Sequence, residues 1–317
     1  MFHATLKGAC APRRARLMLI AGALFAILSA LDPQRAHAQA APSAAAAPSA
    51  FASDRLSVEV AGQGPDVILI PGLVSSREVW RETADRLKAT HRVHLVQLAG
   101  FAGEPWSHGD GPFVEPAVEE LARYIREAGL QRPAVIGHSM GALSGLLLAQ
   151  SHPELVDRLL SVDSLPFYSA LFGPTATPES ARPFAEQAAA GVLSADEATL
   201  RSQQTASAAG LSRTPAMQAQ MLRWSMTSDR HAFAAALRDV MTTDARPGLA
   251  AMTTPVTALY AADAEGGAPS AMADALWARE YAALPDVRLI RVDGSRHFIM
   301  ADQPERFAAL VDAFLAD

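Results

Sequence analysis

The chain has 317 residues, half of them hydrophobic and 19% charged, with a net charge of −6 and a single cysteine, Cys10. Such a composition can bury a large core and excludes a disordered or fibrous chain. The acidic balance excludes a nucleic-acid binder working through a basic face. The lack of cysteine after residue 10 excludes a disulfide framework, a zinc ribbon, an Fe–S site and a cysteine nucleophile.

The first segment reads as an address. Lys7, Arg13, Arg14 and Arg16 precede an apolar run from Leu17 to Leu31, and Ala36-His37-Ala38 then offers a small-x-small cleavage site. This is the order of a secretory signal, and the run falls short of the roughly 20 residues that span a bilayer. Residues 1–38 are therefore expected to be a signal peptide, with the mature chain periplasmic or secreted and without a stable membrane span. Residues 39–53, rich in Ala, Pro and Ser, are expected to form a flexible linker.

From residue 54 strands and helices alternate. The pattern predicts strands at Leu56–Ala61, Asp66–Ile70, His91–Leu98, Pro133–Gly137 and Leu159–Asp163, with helices at Arg77–Leu87, Val114–Ala128 and Met140–Ser151. Residues 166–245 then show only helix-like segments. Alternation resumes with Pro255–Ala261, a helix near 270–283, the strand Val287–Val292 and the helix Pro304–Leu315. The expected fold is α/β, a mainly parallel central sheet with helices on both faces. Its core comprises 54–165 and 246–317, with an inserted all-helical cap at 166–245.

Gly137-His138-Ser139-Met140-Gly141 matches G-x-S-x-G and lies where a buried strand passes into an apolar helix. A turn that tight projects the serine hydroxyl clear of the sheet and leaves no room for side chains at its glycines. The helix N-terminus behind it favours developing negative charge. His297 follows the last strand, in Asp293-Gly294-Ser295-Arg296-His297-Phe298, and is the candidate base for the Ser139 hydroxyl.

In motif and strand order, residues 54–317 resemble the α/β-hydrolase superfamily, specifically its serine hydrolases and esterases with a helical lid. The resemblance implies a nucleophile, acid, base order and an acid after the penultimate strand. Asp263 stands there, with Tyr260 where most relatives have glycine; Glu265 and Asp163 remain alternatives. It also implies an oxyanion hole from the backbone of Met140 and of Leu73, in Ile70-Pro71-Gly72-Leu73, which is similar to the family's H-G-x loop with Pro71 for His. Gln97-Leu98-Ala99-Gly100-Phe101-Ala102-Gly103 resembles the family's D-x-x-G-x-G loop, in a structural role.

The other histidines form no metal set, and no dinucleotide fingerprint follows an early strand, so no metal and no cofactor are expected. His138 is expected to face away from the site. Trp106, Phe167, Phe172, Met221 and Trp224 are candidates to contact substrate; Met217, Met221 and Trp224, at helical spacing, could equally pack the cap onto the body. The activity implied is cleavage of a small-molecule carboxylic ester with an apolar part, through an acyl-enzyme. An aminopeptidase, lactonase or carbon–carbon-bond hydrolase would use the same triad, and a binding protein on this scaffold would have lost it.

Overall fold

The computed structural model describes residues 51–316; the expected signal peptide and residues 39–50 of the expected linker lie outside the described residues. The last linker residues are held against the body. Phe51 meets Tyr124 edge-on at 5.0 Å and lies under the Arg123 guanidinium at 4.3 Å.

The strands are β1 (Leu56–Ala61), β2 (Asp66–Ile70), β3 (Arg92–Leu98), β4 (Ala134–His138), β5 (Leu159–Val162), β6 (Val256–Ala262) and β7 (Val287–Asp293). They form one sheet in the order β1-β3-β2-β4-β5-β6-β7. Only the β1–β3 pair is antiparallel. All of β5, and all but the first residue of β2 and of β4, are buried, as continuous apolar runs covered on both faces must be.

The helices of the body before the insertion are α1 (Arg81–Leu87), α2 (Val114–Glu127) and α3 (Met140–Ser151). In α2 the buried residues Val114, Ala117, Val118, Leu121, Ala122 and Ile125 recur every three or four positions, so one face packs on the sheet. Helix α3 is apolar all round and almost wholly buried. Gly145 lets it approach β5 closely: a Cβ there would sit 2.7 Å from Leu159 Cδ1.

Between β5 and β6 lie α4 (Pro178–Ser194), α5 (Glu197–Leu211), α6 (Pro215–Thr227), α7 (Arg230–Thr242) and the short α8 (Arg246–Leu249). Thr177, Asp196 and Asp229 cap the N-termini of α4, α5 and α7. Helix α4 packs along α7 and α5 along α6. Where the first pair meets, Ala189 of α4 and Ala234 of α7 are buried in one cluster. Side chains this small bring helix axes close. The chain ends with α9 (Ser270–Glu280) before β7, and α10 (Ile299–Asp302) and α11 (Pro304–Ala316) after it.

Strand order fixes where a site can form. From β2 the chain steps one way to β3, then crosses back to β4 on the other side of β2. Loops leaving the carboxyl ends of β2 and β4 therefore diverge and open a crevice between them. The β2 loop begins at Pro71, and β4 ends one residue before Ser139.

Candidate active site

Ser139 holds φ 54° and ψ −121°, a conformation costly for a residue with a side chain. The turn is locked from several sides. The Ser139 amide donates to the Val162 carbonyl at 2.9 Å. A Cβ on Gly137 would lie 2.4 Å from the Gly141 carbonyl oxygen, and one on Gly141 would lie 2.3 Å from that of Ile70. Both glycines are thus fixed by backbone, Gly137 by the turn itself and Gly141 by the end of β2. Val74 (φ 48°) and Asp163 (φ 48°) are also in the left-handed region, and with Ser139 they line one cavity. Strain concentrated at one cleft marks a functional site.

His297 reaches this cleft from the loop after β7. Its Nδ1 lies 2.7 Å from Asp163 Oδ2. The other carboxylate oxygen of Asp163 accepts from the Ala261 amide at 2.8 Å, so both oxygens are engaged. Asp163 directly follows β5, and its own amide donates to the Leu259 carbonyl of β6. A carboxylate held on both oxygens fixes the ring's orientation and requires Nδ1 to carry a proton, leaving Nε2 to accept one.

Asp263, the expected partner of His297, does not meet the ring. Its Oδ1 accepts from Arg213 Nη1 and its Oδ2 from Arg296 Nε, each at 2.9 Å. The Arg296 bond, with the Arg213 charge beside it, holds the Asp263 carboxyl below its ordinary range against the opposing effect of burial. Glu265 is also occupied elsewhere, 3.3 Å from Arg213. Asp263 instead ties the cap residue Arg213 to Arg296, next to His297. Asp302 joins the same two loops, accepting from Ser212 Oγ at 2.7 Å, the Arg213 amide at 2.9 Å and the Arg296 amide at 2.9 Å.

Contrary to expectation, His138 faces the site. Its ring lies 4.5 Å from that of His297, and its Nε2 donates to the His297 carbonyl at 3.0 Å. Burial, and then the neighbouring His297, push its imidazole well below the usual range, so it stays neutral. The loop after β2 passes over the same turn. Gly72 allows this, because a Cβ there would lie 3.1 Å from both Ser139 Cβ and His138 Nδ1. Among the described residues, the Leu73 and Met140 amides have no acceptor within the protein, and both residues line the cavity. Gln97 anchors this loop structurally, its Oε1 accepting from the Arg77 amide at 2.8 Å.

The cavity encloses about 660 Å³, ample for a small organic molecule. Of the five residues expected to contact substrate, Met221 is in its wall and the others are not. Trp106 stacks on Phe113 at 5.1 Å and donates to the Gly109 carbonyl. Phe167 is fully buried beneath the Arg246 guanidinium. Trp224 packs into the core on one side of the sheet, with Met217 against it, and Phe172 projects into solvent. Phe233 of α7 is in the wall, and the part that sequence reasoning missed includes Leu237 and Val240 of α7 and Leu276 of α9. The i, i+4, i+7 spacing on α7 was the available signal.

The sequence profile of the alpha/beta hydrolase family matches residues 67–310. Two similar proteins are pimeloyl-[acyl-carrier protein] methyl ester esterases. That of Vibrio atlanticus is 34% identical over 122 residues, covering 38% of this chain and 45% of the relative. That of Aeromonas hydrophila is 37% identical over 116 residues, covering 36% and 44%. The chain thus spans less than half the length of these relatives. Among solved structures, the enol-lactonase of Burkholderia xenovorans superposes with a TM-score of 0.68 at 17% identity, covering 83% of this chain and 96% of the other. A thermophilic esterase of Thermogutta terrifontis gives 0.68 at 20% identity, covering 82% and 93%. Both likenesses are of fold.

Proposed function

The chain belongs to the alpha/beta hydrolase family, and from that premise we propose that it is a serine hydrolase cleaving carboxylic esters, with Ser139, His297 and Asp163 as its triad. The observation that carries this is the doubly held Asp163 carboxylate on His297 Nδ1, beside a strained serine at a helix N-terminus.

Ser139 Oγ attacks the ester carbonyl while His297 Nε2 takes its proton. The tetrahedral oxyanion lies between the Leu73 and Met140 amides, each worth on the order of 3 kcal/mol of barrier. The imidazolium is stabilised by Asp163 and returns its proton to the departing alcohol, leaving an acyl group on Ser139. Water, activated by the same imidazole, then releases the acid and restores the serine.

The methyl ester esterases similar in sequence support an ester as the bond cleaved. An aminopeptidase needs a free carboxylate for the substrate amine. Among the described residues the cavity's carboxylates are Asp163 and Asp263, and both are already engaged. We place the mature enzyme in the periplasm or outside the cell, on the signal-like order of residues 1–38. Turnover of p-nitrophenyl butyrate tests the activity: it is expected in the purified protein and lost on Ser139→Ala. Hydrolysis that survives this substitution refutes the assignment.

A further inference from the structure

The cavity wall continues onto the protein surface as apolar side chains. Tyr168 and Leu171, in the turn after β5, and Met272 of α9 line the cavity and are also 40%, 51% and 62% exposed. Beyond them the apolar surface goes on. The Tyr168 ring lies edge-on to Phe172 at 6.2 Å, and Phe172 lies 6.3 Å from Phe184 of α4. Phe172 and Phe184 are 63% and 61% exposed. Single exposed apolar residues are ordinary, but a run leading out of a reactive cavity is a binding surface. Inside, the charged groups Asp163, Asp263 and Arg296 are paired with protein partners, so none is free to hold a charged substrate.

We propose that the ester cleaved here carries a long apolar chain, with its carbonyl at Ser139 and its distal methylenes along Tyr168, Leu171, Met272 and Phe172. This rests on the ester-hydrolase reading and adds the substrate class. Continuity with the cavity that holds Ser139 selects the chain of one substrate molecule as the occupant, over a membrane or a second copy of the protein.

The test compares p-nitrophenyl butyrate with octanoate, both below their solubility limits, in the wild type and in Leu171→Ser/Phe172→Ser. Full burial of a methylene is worth about fourfold, and a half-open rim returns about twofold to threefold. The octanoate:butyrate ratio of kcat/KM is thus expected on the order of 30 in the wild type. In the double variant it should fall about tenfold. In parallel, methyl octanoate is titrated calorimetrically into Ser139→Ala with and without the two rim substitutions, which should weaken binding about tenfold. An unchanged ratio, an equal loss on both esters, or a rate that rises only with phosphatidylcholine vesicles overturns the proposal. So does a dimer that the rim substitutions disperse. Failure of the wild type to turn over either ester refutes the hydrolase reading instead, and the titration still decides this one.

Discussion

Replacing Asp163 by Asn separates the two carboxylates that compete for the acid role. Asn is nearly isosteric and tolerates the left-handed backbone at 163, so the fold should survive. The side chain's orientation is dictated by the Ala261 amide, which donates to Oδ1. The Asn carbonyl must take that position, which turns its NH₂ toward His297 Nδ1. A donor there forces Nδ1 to accept, so the proton moves to Nε2 and the ring cannot take the serine's proton. In serine hydrolases this tautomer switch costs on the order of 10⁴-fold in kcat, about 5.5 kcal/mol of barrier. Asp263→Asn should leave kcat within about tenfold, because its oxygens serve Arg213 and Arg296. It should instead destabilise the fold by about 1–2 kcal/mol, since Arg213 is substantially exposed and screened. That corresponds to a Tm lower by about 2–8 °C. Steady-state ester hydrolysis and thermal melts of both variants decide the matter. A collapse of kcat in Asp263→Asn with near-normal Asp163→Asn would refute the reasoning.

Two further outcomes follow from the same geometry. Gly141→Ala should lose about 3 kcal/mol of stability, because the new Cβ meets the Ile70 and Pro71 carbonyls of a buried strand end; urea midpoints within error of wild type would contradict this packing. Stability should also fall in mild acid. Burial pushes the His138 and His94 imidazoles down, so below about pH 6.5 the unfolded chain binds protons that the folded chain does not. Each group then removes up to about 1.4 kcal/mol per pH unit as pH falls below that point. The Asp263 contribution is kept there, since its lowered carboxyl is lost only as pH falls through its folded value, below about 3.8. Urea titrations between pH 7.5 and 5 should show this decline, with a shallower slope in His138→Phe; a flat profile would count against a neutral buried His138.

The sheet was legible because its strands are short apolar runs between turn residues; β1, β2 and α3 begin and end as predicted. The Ser139 turn was legible for the same reason, its glycines being required by backbone contact. The acid was not. Asp163 and Asp263 follow neighbouring strands at the carboxyl end of the sheet, and the choice between them depends on Arg213, which reaches Asp263 from the cap 50 residues away in sequence. Arg296, directly before His297, was the overlooked sign that a cation would compete for that carboxylate. The cavity wall was equally hidden. Phe167 and Trp106 drew attention as large aromatics, yet Phe167 is buried away from the cavity and Trp106 packs against the core, while the cavity is lined by Phe233, Leu237 and Val240 of α7 and by Leu276 and Trp277 of α9.

Labelling of the native protein with a fluorophosphonate, mapped to the residue by mass spectrometry, tests most directly whether Ser139 is activated by His297 and Asp163. The account predicts one adduct, on Ser139, abolished by unfolding and slowed by about 10³-fold or more in His297→Ala and Asp163→Asn but not in Asp263→Asn. No adduct on folded protein, or a Ser139 rate indifferent to His297→Ala, would contradict it.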